Sequence, residues 1–176
     1  VLSDEFKALK VSKKIYEIEK IKIIINSINE NSIFSIHLTS GTTGTPKSVI
    51  HSVSNIVGNA FSFNESILSQ SNQNFGHFLP MYYMAGFLNC FILPMVNQSQ
   101  ITIFEKFNSL SAINFWKLIS SQNINMVWLT PSMIEMINYL DRGSIGKSYC
   151  EKNNIKIFSA TAPLFNKTRE KFKERY

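Results

Sequence analysis

The sequence predicts an α/β fold, in sheets of alternating strands and helices. Three observations predict it. Short apolar or β-branched runs recur at Ile33–Leu38, Val49–Ile50, Phe75–Leu79, Ile101–Phe104, Met126–Leu129 and Ile155–Phe158. Amphipathic stretches of about three turns lie between most of them. A loop rich in Ser, Thr and Gly directly follows the first run, at Thr39–Lys47.

The elements follow in order. Residues 4–22 can form a charged helix with Phe6, Leu9, Ile15, Ile18 and Ile21 leaning to one side. Ile33–Leu38 alternates and is β-branched, as a strand requires. After the loop, Val49–Ile50 suits a short strand, and Ser52 or Ser54 can cap a helix striped by Ile56, Ala60, Phe63 and Ile67. Met84–Leu93 reads as a buried helix. Ser109 can cap a helix over Ala112–Ser121. Pro131 suits the first turn of a helix through Leu140, where its missing N–H costs little. Residues 142–154, with Gly143 and Gly146, read as a surface loop. Asn166 can cap a terminal helix whose apolar face is Phe165, Phe172 and Tyr176.

Composition narrows the function classes. At 176 residues, 44% hydrophobic and 17% charged, with a mean hydropathy of −0.02, the chain is no disordered polyelectrolyte, collagen-like repeat or disulfide scaffold. It opens Val1-Leu2-Ser3 and stops at Tyr176 inside the last predicted helix, so a piece of a longer protein is expected. The net charge of +6 invites a nucleic-acid reading, but its location argues otherwise. Residues 147–176 hold eight Lys or Arg against three acids, whereas the first 146 residues hold ten against nine. The excess reads as a solvated helix face or a phosphate-binding strip, and no nucleic-acid partner is expected. Cys90 and Cys150 have no metal-ligand spacing, and a reducing cytoplasm is the expected compartment. Met81–Val96 is nearly all apolar but falls short of the ~20 residues that span a bilayer, and it contains Asn89 and Pro94.

Chemistry concentrates in Thr39-Ser40-Gly41-Thr42-Thr43-Gly44-Thr45-Pro46-Lys47. Gly41 and Gly44 free the backbone to curl and bring its amides close to an anion. The hydroxyls add donors and can join the coordination of a phosphate-bound Mg²⁺, and Lys47 adds a full positive charge. This is a phosphate-grasping loop. It is not a Walker A loop, because Pro46 stands where G-x-x-x-x-G-K-[ST] needs glycine and supplies no N–H to an amide nest.

The segment resembles the nucleotide loop [ST]-[ST]-G-[ST]-T-G-x-P-K of the adenylate-forming (AMP-binding) superfamily, in its acyl-CoA synthetase and acyl-AMP ligase branch. Three later segments fit in order. Leu79–Phe87 is similar to the family's P-x-[FY]-H-x-x-G stretch, with Tyr83 in place of His. Ile124–Ser132 is similar to its strand-to-helix passage. Phe158–Leu164 is similar to S-G-[GA]-A-P-L, with Ala160 where Gly is commoner. The similarity runs from Ile33 to Tyr176, and implies part of the family's large N-terminal domain.

The resemblance implies an ATP-dependent ligase that joins a small carboxylic acid to AMP and then passes the acyl group to a thiol, coenzyme A or a carrier protein. It implies phosphate contacts from Thr39, Ser40, Gly41, Thr42, Thr43, Gly44 and Lys47, with Thr43 also reaching Mg²⁺. Ala160, Thr161, Ala162 and Pro163 would flank the base. Lys47 and Tyr83 are the candidate catalytic residues, and Tyr83 stands equally as a core aromatic or as a substrate-gating group. The family's Mg²⁺-binding Glu segment, its ribose-binding Asp and its C-terminal domain with a catalytic Lys are expected beyond Tyr176. These 176 residues alone are therefore expected not to catalyse adenylation. The alternative reading is a degenerate, non-catalytic nucleotide-binding or interaction module.

Overall fold

The structure, a computed structural model, describes residues 26–39, 46–67 and 73–176. The helix expected over 4–22 and the loop interior, Ser40–Thr45, lie outside the described residues. Two sheets are present among them. Ile33–Thr39 (β1) and Lys47–Ser52 (β2) form an antiparallel pair. A parallel sheet has the strand order β4-β3-β5-β6, with β3 at Asn74–His77, β4 at Gln100–Ile103, β5 at Met126–Leu129 and β6 at Lys156–Ser159. This is the mixed α/β architecture the alternating pattern requires.

All four residues of β5 are buried, because helices cover both faces of a parallel sheet and leave the strand no polar side. Val127 and Leu129 enter one core with Phe78, Phe115, Trp116, Ile119, Ile124, Ile134 and Ile137. Met126 enters a second with Ile56, Ala60, Phe75, Ile92 and Leu93, and Trp128 a third with Leu79, Ala85 and Cys90. The alternation is the period of two inherent to a strand.

The helix Val53–Ile67 (α1) starts as a reciprocal cap: Ser52 Oγ accepts from the Asn55 N–H at 3.2 Å while Asn55 Oδ1 accepts from the Ser52 N–H at 3.0 Å. Ile56 and Ala60 are buried as expected. Asn64 is also buried, and its amide donates to the Leu93 carbonyl at 3.2 Å.

The expected Met84–Leu93 helix is a π-helix over Ala85–Ile92 that continues as α-helix over Leu93–Val96 (α2). The expected Ala112–Ser121 helix is two pieces, Ser109–Ile113 (α3) and Phe115–Ser121 (α4), broken at Asn114. Its cap is Asn108, whose Oδ1 accepts from the Ser111 N–H at 2.9 Å, one residue earlier than expected. Pro131–Leu140 (α5) is as predicted, with Thr130 Oγ1 accepting from the Met133 N–H.

Residues 142–154 depart most from expectation, since Ile145–Lys152 is helical (α6). Tertiary packing overrides the polar composition here. A Cβ on Gly146 would come within 2.5 Å of the Trp116 ring, so only glycine lets α6 lie this close. The Tyr149 hydroxyl donates to the Ile124 carbonyl at 3.1 Å. The last helix, Asn166–Arg175 (α7), has Phe165 rather than Asn166 at its cap, with no side-chain bond there. Phe165 is exposed, while Phe172 and Tyr176 pack against Trp116. The Tyr176 hydroxyl and the Arg175 guanidinium both reach the buried Asp141 carboxylate, at 2.7 and 3.5 Å, and lock α7 to the end of α5.

Candidate active site at the strand ends

In a parallel sheet every strand points the same way, so the segments that follow the strands collect at one edge, where α/β sheets bind ligands. Here they are Phe78–Tyr83 after β3, Lys106–Phe107 after β4, Thr130–Met133 after β5 and Ala160–Pro163 after β6. The first three line one apolar cleft of about 290 Å³, formed by Phe78, Leu79, Pro80, Tyr82, Tyr83, Lys106, Phe107, Thr130 and Met133. Lys106 is its one charged lining residue. Tyr82 is 84% exposed and Tyr83 is 38% exposed, so Tyr83 belongs to the cleft wall and not to the core.

The turn that carries Tyr83 is tightly held. The Tyr83 N–H donates to the Pro80 carbonyl at 3.1 Å, and the Phe87 N–H donates to the Tyr83 carbonyl at 2.9 Å. A Cβ on Gly86 would sit 2.1 Å from the Pro80 oxygen, so the close approach requires glycine. His77 Nε2 donates to the Leu79 carbonyl at 2.7 Å. That bond fixes the neutral tautomer with the proton on Nε2, and burial lowers the His77 pKa below its ordinary 6.5.

Thr39 and Lys47 face each other where β1 and β2 meet the loop, and the Thr39 hydroxyl donates to the Lys47 carbonyl at 3.3 Å. Both are exposed. The hairpin is tied to the π-helix through Phe87, whose ring lies 5.9 Å from Phe34 and 5.8 Å from His37. Ser40, Gly41, Thr42, Thr43 and Gly44 lie outside the described residues.

Ala160 packs with Leu79, Ala85 and Trp128, so the segments after β3 and β6 meet over the Trp128 ring. Thr161, Ala162 and Pro163 are exposed. Thr161 has φ of 81°, a left-handed conformation that strains a β-branched residue. Among the described residues no three His, Cys, Asp or Glu side chains converge on a metal site. The magnesium expectation concerns Thr43, which lies outside the described residues, and the Glu segment expected beyond Tyr176. Burial pushes the Cys90 thiol up to about 12, so it is an inert core group.

Sequence patterns had not singled out Lys106, Phe107, Thr130, Met133 or His77 as site residues. The signal available for the first four is position just after a strand of a parallel sheet. It becomes usable only once the strand order is known.

A sequence model described as AMP-binding enzyme matches residues 3–176. The chain belongs to the AMP-binding enzyme family. Among its relatives is 2-succinylbenzoate–CoA ligase of Staphylococcus aureus, 28% identical over 127 residues, which are 72% of this chain and 24% of the relative. The fold is that of ATP-bound MatB from Rhodopseudomonas palustris, with a TM-score of 0.70 and 19% identity over 84% of this chain and 28% of that one. It is likewise that of a fatty acyl-adenylate ligase from L. pneumophila in complex with acyl adenylate and pyrophosphate (TM-score 0.69, 20% identity, 84% and 26% coverage). The chain thus spans about a quarter of the length of the relatives it matches. As a member of this family it shares the N-terminal-domain architecture of adenylate-forming enzymes. No helix among the described residues is long and apolar enough to cross a membrane.

Proposed function

We propose that this chain is the nucleotide- and acid-binding part of an ATP-dependent ligase. A carboxylate oxygen attacks the α-phosphorus of ATP, the bond to the β-phosphate oxygen breaks, and pyrophosphate leaves an acyl-adenylate. A thiol, coenzyme A being the acceptor named for the 2-succinylbenzoate relative, then takes the acyl carbon and releases AMP. The observation that carries this reading is the apolar cleft at the ends of adjacent parallel strands, with Tyr83 in its wall.

The chemical problem is to bring an anion to a polyanion. Lys47 and the hydroxyls and amides of residues 39–44 serve the β- and γ-phosphates, where pyrophosphate charge develops. Ala160 to Pro163 flank the adenine. The cleft takes the apolar body of the acid. Lys106 at its rim favours an acid with anionic character there. Magnesium, when bound with ATP, would neutralise phosphate charge, and the family resemblance assigns Thr43 as the residue to touch it.

The test is carboxylate-dependent exchange of pyrophosphate into ATP by the full-length protein, across a panel of aryl and acyl acids. The reading expects exchange with at least one acid, and Lys47→Ala to lower it by about 10²-fold. The 176 residues alone are expected to give none. Exchange that Lys47→Ala leaves unchanged would refute the role given to that lysine.

A further inference from the structure

We propose that His77 is the positioning residue for Tyr83, a role that rests on the reading of Tyr83 as a wall of the acid-binding cleft. His77 is 1% exposed, at the last position of β3, and is one of four buried polar or charged residues among the described residues. Its ring spans the start of the turn: Nε2 holds the Leu79 carbonyl at 2.7 Å, two residues on. The Leu79 and Pro80 carbonyls lie against Gly86, at 3.1 and 2.1 Å from where its Cβ would be. Pro80 in turn accepts from the Tyr83 N–H. The imidazole therefore joins the end of the sheet to the peptide on which both the turn and the start of the π-helix rest.

Pro80 has no N–H and cannot donate a backbone bond to hold the turn. Met81, Tyr82 and Tyr83 are all exposed. Without the His77 bond, the turn would keep its two backbone bonds, Tyr83 N–H to Pro80 and Phe87 N–H to Tyr83, and the packing at Gly86, but would lose the side-chain bond from the end of β3. A buried, neutral imidazole suits this task, since it donates one directional bond and introduces no charge beneath an anion-binding site. His77 is not itself among the residues that line the cleft.

A double-mutant cycle tests the proposal in the full-length protein, with pyrophosphate exchange as the readout. His77→Phe is expected to lower kcat/KM for the acid about tenfold and to leave the KM for ATP unchanged. In a Tyr83→Ala background the same change is expected to cost less than about twofold, because no side chain remains to be positioned. His77→Gln, which keeps an N–H donor, is expected to restore most of the loss. An equal loss from His77→Phe in both backgrounds overturns the proposal, as does a parallel rise in the KM for ATP. If the unaltered protein exchanges with no acid, the reading of the site fails, and the positioning role falls with it. If it exchanges and the cycle is additive, only the positioning role fails.

Discussion

The Thr39 hydroxyl donates to the Lys47 carbonyl at 3.3 Å, closing the neck of the loop proposed to hold phosphate. The loop thus leaves and re-enters an antiparallel pair whose register sets Thr39 opposite Lys47. Thr39→Val removes the neck bond and Lys47→Ala removes the charge. Both residues are exposed, so each change is expected to alter unfolding by no more than about 0.5 kcal/mol. ATP affinity, measured by calorimetry on the full-length protein, should fall several-fold for Thr39→Val and further for Lys47→Ala. Equal affinity in both variants and the parent would argue against a phosphate role for this neck.

Gly86 is required by geometry. Its added Cβ would overlap the Pro80 oxygen, a backbone atom that has no rotamer to escape into. Gly86→Ala should therefore destabilise the chain by about 2–3 kcal/mol. Gly58 is a useful control, because nothing lies within 4 Å of its added Cβ and it sits inside α1. Gly58→Ala should be neutral or stabilising in the same urea titration.

His77 gives the chain an acid-sensitive term. The folded-state pKa lies below the unfolded value near 6.5, chiefly through loss of solvation. The unfolded state therefore binds the proton first as the pH falls. The contribution is fully present above the unfolded pKa and is lost between that value and the lower folded one. Urea midpoints should drop between about pH 7.5 and pH 5.5, and His77→Phe should make that slope shallower. An unchanged slope would mean that other groups carry the acid response.

Thr161 holds φ of 81° within the segment proposed to flank adenine. Glycine takes that conformation without steric cost, so Thr161→Gly is expected to stabilise the fold by about 1 kcal/mol. The melting temperature should rise accordingly. A drop would show that the Thr side chain contributes contacts that outweigh the strain.

Much of the fold was legible because local signals agreed with one another. Met126–Leu129 followed by Pro131 reads as strand and first helical turn, and both fall where expected. The break at Asn114 was not legible, nor was the helix at Ile145–Lys152. The latter depends on Gly146 meeting Trp116, 30 residues away, and no local periodicity reports a contact of that kind. His77 was equally hidden, for a lone histidine in an apolar run has no pattern to mark it.

By itself the sequence determined the strand-and-helix alternation, the Ser, Thr and Gly composition of residues 39–47 and the order of the motifs. These depend on side-chain type and spacing along one chain. The strand order β4-β3-β5-β6 was decided only in three dimensions, and with it the meeting of Lys106, Tyr83 and Met133 around one cleft. Their neighbourhood arises from parallel pairing between strands far apart in the chain. The free energy of that pairing lies in burying both faces of β3 and β5 at once, a property of the packed sheet and of no single segment.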